Sequence, residues 1–450
     1  MKNAAGTARA RRRAAAREGG FTLIELLITL LVVAEIMIIA GLIFDLHNKT
    51  ARAQGHVADM QQSLRVGQRE IIDLVRMAGR GGLPAHLAPA DAPGPMQMNQ
   101  GLAVEVENNV AAGTTIVTND DTTAVVPGTD VLRVRGIFSA PLYQLLNVAL
   151  GGPNVIYEPG AEDPANAVAG TLTVGDPSPS GYRQDLQPLA DAVEHDALIL
   201  VSPLSDAIYG VVSVETVTVT AQDGDGNPLQ VSVRFRVTGG DYTANYRGLY
   251  AGAGNLPSNL NSVAFLGLLE EHVFYVRDVP AIPGDPSSES MPRLSRAQVF
   301  PRTGVQVAAG AGRNDVADNV VDLQVALGFN SSLGVDGYFD REQLDELVLN
   351  ETGDGAADDW LFNGAGDDPS QAPWVGPWAD PPLGTPQPEL YYVRVTTLAR
   401  TEGREFQYIS PAIPSLEDRA YNEPAVPAGR DPDREFHRRL LRTVIDLRSL

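Results

Sequence analysis

A predominantly apolar run from Phe21 to Phe44, close to the N-terminus, constrains this chain more than any other feature. At about 1.5 Å per residue it predicts roughly 36 Å of helix, enough to cross a bilayer. Residues 1–20 in front of it carry Lys2, Arg9, Arg11, Arg12, Arg13 and Arg17 against a single acid, Glu18. A basic flank of this kind stays cytoplasmic, so everything after Phe44 is expected on the exported side. A secretory signal peptide would place its small-residue cleavage site after the apolar run; here Gly19-Gly20 precedes it. Glu25 lies five residues past Gly20, inside the run, where a lone carboxylate costs about 2.5–3.5 kcal/mol on insertion scales and marks function. Glu35 is a second one. Ten residues are about 1000° of helix turn, so Glu25 and Glu35 point to different faces.

Composition narrows the chemistry. The 450 residues include 56 acidic and 34 basic side chains, for a formal charge of -22, which disfavours nucleic acid as a partner. There is no cysteine, so disulfides, thiol nucleophiles and thiolate metal sites are excluded. Lysine occurs only as Lys2 and Lys49, both flanking the apolar run, which leaves no sensible P-loop or Schiff-base lysine. Apolar residues at 44% allow a sizeable core.

Helical periodicity outlasts the apolar run. Val57, Met60, Leu64, Gly67, Ile71, Leu74 and Ala78 recur at alternating three- and four-residue steps between charged residues. That is one apolar stripe, predicted to dock on a globular domain and not to form a coiled-coil seam. Gly79-Arg80-Gly81-Gly82-Leu83-Pro84 ends the helix, giving about sixty residues in all.

The remainder reads as strands and turns. Leu102–Val106, Val131–Arg135, Ala197–Val201, Ile208–Thr220, Val231–Val237, His272–Arg277, Val320–Leu327, Leu390–Ala399 and Leu441–Leu447 are the expected strands. Asp223-Gly224-Asp225-Gly226-Asn227-Pro228 reads as a hairpin tip in preference to a calcium loop. Residues 278–293 and 364–389 read as long loops. The expected fold class is α+β, a long N-terminal helix packed on a large antiparallel β-rich domain.

The segment Arg17–Leu27, Arg-Glu-Gly-Gly-Phe-Thr-Leu-Ile-Glu-Leu-Leu, resembles the leader signal of type IV prepilins and type II secretion pseudopilins. Three later segments are similar to the PilW-like minor pilins: Asp318–Gly328, Leu390–Arg400 and the closing Arg438–Arg448. Gly128–Gly136 and the helix end Arg76–Gly79 also fit. The Asp/Gly-rich loop of that family is degraded here to Phe329-Asn330-Ser331-Ser332-Leu333-Gly334, which argues against a calcium role at that place.

The resemblance implies a leader at 1–20, a membrane and filament-core half of the helix at 21–44, an amphipathic half at 45–82 and an exported domain at 83–450. It implies cleavage between Gly20 and Phe21 by a prepilin peptidase, and N-methylation of Phe21. Glu25 would pair with the freed amine of a neighbouring subunit and set axial register. Loss of the leader takes the charge from -22 to -27. The implied role is a minor pilin, single-pass in the inner membrane with a periplasmic domain, then at or near a filament tip at the cell surface. Its partners would be other minor pilins, the major pilin and the assembly platform protein. A J-type minor pseudopilin of a type II secretion system and a pilin-leader surface adhesin are the rival readings.

No catalytic constellation assembles from the sequence. The six histidines are scattered without a metal-binding pair spacing, and no nucleophile elbow is present. A non-enzyme without cofactor is therefore expected. The acidic patch at Asp354, Asp358 and Asp359 reads as a solvated loop, with a weak calcium loop as its second reading.

Overall fold

The computed structural model describes residues 22–81, 103–117, 122–146, 155–157, 169–175, 184–192, 194, 196–202, 208–236, 244–245, 264–280, 282, 285, 289–299, 313–330, 360–364, 389–405, 408–421, 423–424 and 431–447. Gly20, Phe21, the Asp354/Asp358/Asp359 patch and the loop at 331–334 lie outside the described residues. The chain divides into two compact units, residues 1–56 and 57–450.

One helix, α1, runs Leu23–Val75 and stays helical through Gly41, Gly55 and Gly67. The strands follow in chain order. They are β1 (Val104–Glu107), β2 (Thr115–Val117), β3 (Thr122–Ala124), β4 (Val131–Gly136), β5 (Tyr143–Gln144), β6 (Val155–Tyr157) and β7 (Ala169–Gly175). After the short helix α2 (Gln187–Ala190) come β8 (Ala197–Ser202), β9 (Ile208–Gln222), β10 (Pro228–Arg236), β11 (Ala244–Asn245), β12 (Phe265–Leu268), β13 (Glu270–Pro280) and β14 (Ser290–Val299). The last are β15 (Arg313–Asp318), β16 (Val320–Asn330), β17 (Trp360–Leu361), β18 (Glu389–Arg400), β19 (Ser415–Leu416), β20 (Arg419–Ala420) and β21 (Arg438–Asp446).

Three antiparallel sheets organise the second unit. The first has the order β1-β4-β13-β14-β15, and the second β5-β12-β8-β9-β10-β7-β6 with β11 also on β9. The third is β17-β16-β18-β21. β2–β3 and β19–β20 are separate hairpins. The fold is thus α+β, with one long N-terminal helix and a large antiparallel β-rich domain.

The C-terminal part of α1 lies on the first and third sheets together. Met60, Leu64, Ile71, Leu74 and Val75 are buried against Leu132, Val134, Phe274, Leu294, Leu323 and Val395, while Val57 packs at the margin. Burial follows the four- and three-residue steps because only one face of a helix can meet a sheet. At Gly67 the sheet side chains leave no room for a side chain on the helix: a Cβ there would stand 2.9 Å from both Ala317 Cβ and Leu294 Cδ2. Past Val75 the chain turns through Gly79 (φ +72°) and Gly81 (φ +108°), left-handed conformations that glycine adopts without strain. There Gly79 N–H donates to the Arg135 carbonyl and Ile137 N–H to the Arg80 carbonyl, tying the helix end to β4.

Two smaller cores complete the domain. Leu186 and Leu189 around α2 cover Leu172, Val174, Leu198, Val231 and Phe235 of the second sheet. The β2–β3 hairpin covers Val131, Val273, Tyr275 and Ala297 on the face of the first sheet turned away from α1. The segment 278–293, expected as a long loop, is strand at both ends: β13 reaches Pro280 and pairs it with Ser290 at the start of β14. Pro292 is tolerated because it falls outside the β14–β15 ladder, which covers Arg293–Ala297. The tip between β9 and β10 is a tight turn. The Asp223 carboxylate there accepts the Asp225 and Asn227 N–H groups at 2.9 Å, so it serves the turn itself.

Candidate assembly segment and polar clusters

The residues that carry the prepilin resemblance and are described here belong to the start of α1. Thr22 and Glu25 form a reciprocal capping box. Glu25 N–H donates to Thr22 Oγ1 at 3.3 Å, and Thr22 N–H donates to Glu25 Oε2 at 2.9 Å. Thr22 Oγ1 also donates to the same carboxylate oxygen at 3.0 Å. The box folds the Glu25 carboxylate back toward the N-terminal end of the apolar run, beside the backbone of residue 22. Thr29 returns its hydroxyl to the Glu25 carbonyl at 2.7 Å, so no side-chain hydroxyl is left over in this stretch.

From Leu23 to Leu46 every large apolar side chain is exposed, Leu23 by 84% and Phe44 by 69%. This is one helix long and apolar enough to cross a membrane. A soluble surface does not present so continuous an apolar cylinder; it asks for lipid or for other helices. Charged groups resume just beyond it with Asp45 and Lys49, which pair at 2.8 Å.

The docked half is held by polar contacts as well. Buried Gln68 donates to the Leu441 carbonyl at 2.8 Å and accepts from Thr443 Oγ1 at 2.7 Å, reaching β21. Ser63 Oγ accepts Asp318 N–H at 2.9 Å at the end of β15. Glu70 pairs with Arg296 of β14. None of these three was legible in the sequence, because their partners lie more than 200 residues away.

Several polar clusters lie elsewhere among the described residues, and three of them hold buried carboxylates that bear on chemistry. Asp130 is 1% exposed and joins the first sheet to the third. Its carboxylate accepts Asn109 N–H at 2.8 Å and Val325 N–H at 2.7 Å, while its own N–H donates to Leu323. Burial pushes its pKa well above the usual carboxylate range despite those two N–H groups, and the Asp418 and Asp322 charges add to the rise.

Glu417, at φ +49°, inserts from the β19–β20 turn onto the third sheet. It accepts from Thr396 Oγ1 at 2.6 Å, pairs with Arg394, and lies 3.1 Å from Arg442. Asp322 beside it faces Arg419 at 2.9 Å and the Tyr421 hydroxyl at 2.5 Å. Both carboxylates are fully buried and offset by arginines.

The third cluster holds the residue types of a hydrolase without its wiring. Ser139 Oγ donates to Glu270 Oε1, not to a histidine. His272 Nε2 stands 3.6 Å from Glu270 Oε2, and Phe138 meets its ring edge-on. Burial raises the Glu270 carboxyl, but the adjacent His272 and the hydrogen bonds from Ser139 outweigh it and bring the pKa below the ordinary value. A serine bonded to the acid is not activated by the base. Among the described residues no group of three or more His, Asp or Glu side chains is arranged to hold a metal ion.

No protein-family model, no curated protein and no solved structure matches this chain.

Proposed function

We propose that this chain is a minor pilin of the PilW-like type, a non-catalytic subunit that helps prime and build a type IV filament. The observation carrying the reading is the order of parts: a basic leader ending in Gly19-Gly20, then Phe21, Glu25 and an apolar run. That run continues as one helix into an amphipathic half, followed by an antiparallel β domain. Such a helix serves two environments in turn, the inner membrane before assembly and a core of packed helices after it. The capping box keeps the Glu25 carboxylate at the N-terminal end of the run, the end at which the neighbouring subunit's amine would have to meet it. In a low-dielectric setting the carboxylate of one subunit and the ammonium of the next offset each other's burial and fix their axial register. A domain of this size on a single helix favours a place at or near the tip over dense stacking along a shaft.

Replacement of Glu25 tests this directly. Glu25→Val is expected to leave the leader cleaved and the domain folded, while the protein disappears from sheared filaments and accumulates in the inner membrane. Filament entry of Glu25→Val at the wild-type level would overturn the proposal.

A further inference from the structure

Glu35 has no role in the account above. Ten residues before Asp45 and fourteen after Phe21, it lies about 15 Å from one end of the apolar run and about 21 Å from the other. That is mid-span for a helix crossing a bilayer. Leu31, Val32, Ile38, Ile39 and Leu42 surround it on its own face, each between 45% and 66% exposed. Among the described residues no donor reaches it. The Thr29 hydroxyl is spent on the Glu25 and Leu26 carbonyls, and Lys49, about 21 Å along the helix, pairs with Asp45. Among the described residues nothing compensates this carboxylate, and lipid supplies nothing either.

We propose that Glu35 is the contact point for a second transmembrane helix that brings a guanidinium or ammonium group to the middle of the bilayer. Charge complementarity selects such a partner, because a donor-bearing helix is the occupant that lowers the cost of the carboxylate in hydrocarbon. Glu25 and Glu35 are about 80° apart around the helix, so the two carboxylates address different neighbours. The inference rests on the membrane reading of the segment and is independent of leader cleavage.

The absence of cysteine allows a clean test. Full-length protein labelled through Lys49→Cys would be placed in phosphatidylcholine vesicles with a leucine-rich transmembrane peptide carrying one central arginine, or leucine in its place. Energy transfer should show the arginine peptide bound about tenfold more tightly. Glu35→Leu should abolish that preference, Glu35→Gln should weaken it and Glu25→Leu should preserve it, with all variants resisting carbonate extraction. Equal binding of the two peptides, or a preference that survives Glu35→Leu, would overturn the proposal. In producing cells Glu35→Leu should lower the filament fraction about tenfold with cleavage unchanged, and unchanged incorporation would count against it. If the wild type itself never enters filaments, the pilin reading fails, and the vesicle assay still decides the role of Glu35.

Discussion

Gln68 and Gly67 sit side by side where α1 meets the sheets, and they fail in different ways when changed. Gln68→Leu keeps the volume but takes a donor from the Leu441 carbonyl and the acceptor from the Thr443 hydroxyl. A loss of about 1–3 kcal/mol is expected in urea unfolding. Gly67→Ala improves helix propensity yet drives a methyl into Ala317 and Leu294, so net destabilisation of about 1–3 kcal/mol is expected. A rise in stability would show that the helix can back away from the sheet. Asp315 sets a pH dependence. Burial would raise its carboxyl, but hydrogen bonds from Arg277, Arg293 and Ser295 outweigh that and hold the pKa at about 2. A folded value below the unfolded one, near 3.9, means the unfolded chain binds the proton more readily. The contribution, at most about 2.6 kcal/mol before solvent screening reduces it, is therefore complete above about pH 5 and lost as pH falls from about 4 toward 2. Asp315→Asn should lower stability at neutral pH and flatten this acid limb; an unchanged acid limb would remove Asp315 from the account.

At the scale of elements, the long helix has two halves with opposite needs. Residues 23–46 expose their apolar side chains, whereas Met60, Leu64, Ile71 and Leu74 complete the main core. A chain starting at residue 57 should thus be soluble and unfold cooperatively. One starting at residue 79 should aggregate, since it uncovers Phe274, Leu323 and Val395. Ile71→Ala, at a fully buried position, should cost about 2–5 kcal/mol. The helix was legible because a period of 3.6 survives in sequence whatever it packs on. The strands with alternating or β-branched runs were legible for the same reason, β9, β16 and β18 among them. β14 was not, because Pro280, Pro292 and the acidic residues between read as breakers, while the pairing that overrides them is tertiary. Asp130, Glu417 and Gln68 were equally hidden: each finds its partners across a distance along the chain that no local pattern spans, Glu417 excepted only in part. Glu417 reaches Arg394 and Thr396 some twenty residues back, but through a left-handed turn residue that a glutamate rarely adopts.

At the scale of the whole molecule, the legible parts were the α+β class and the membrane-length helix. The proposed function rests chiefly on the eleven residues Arg17–Leu27, since a processing signal would be read by an enzyme as sequence and would need no fold of its own. Whether this chain enters a filament turns on what happens between Gly20 and Phe21. The deciding measurement is the N-terminal mass of membrane-extracted protein, produced with and without a co-expressed prepilin peptidase. The expected result is a chain beginning at N-methylated Phe21 with the peptidase and an intact leader without it. An intact leader under both conditions would contradict the filament reading and leave a membrane-tethered β domain in its place.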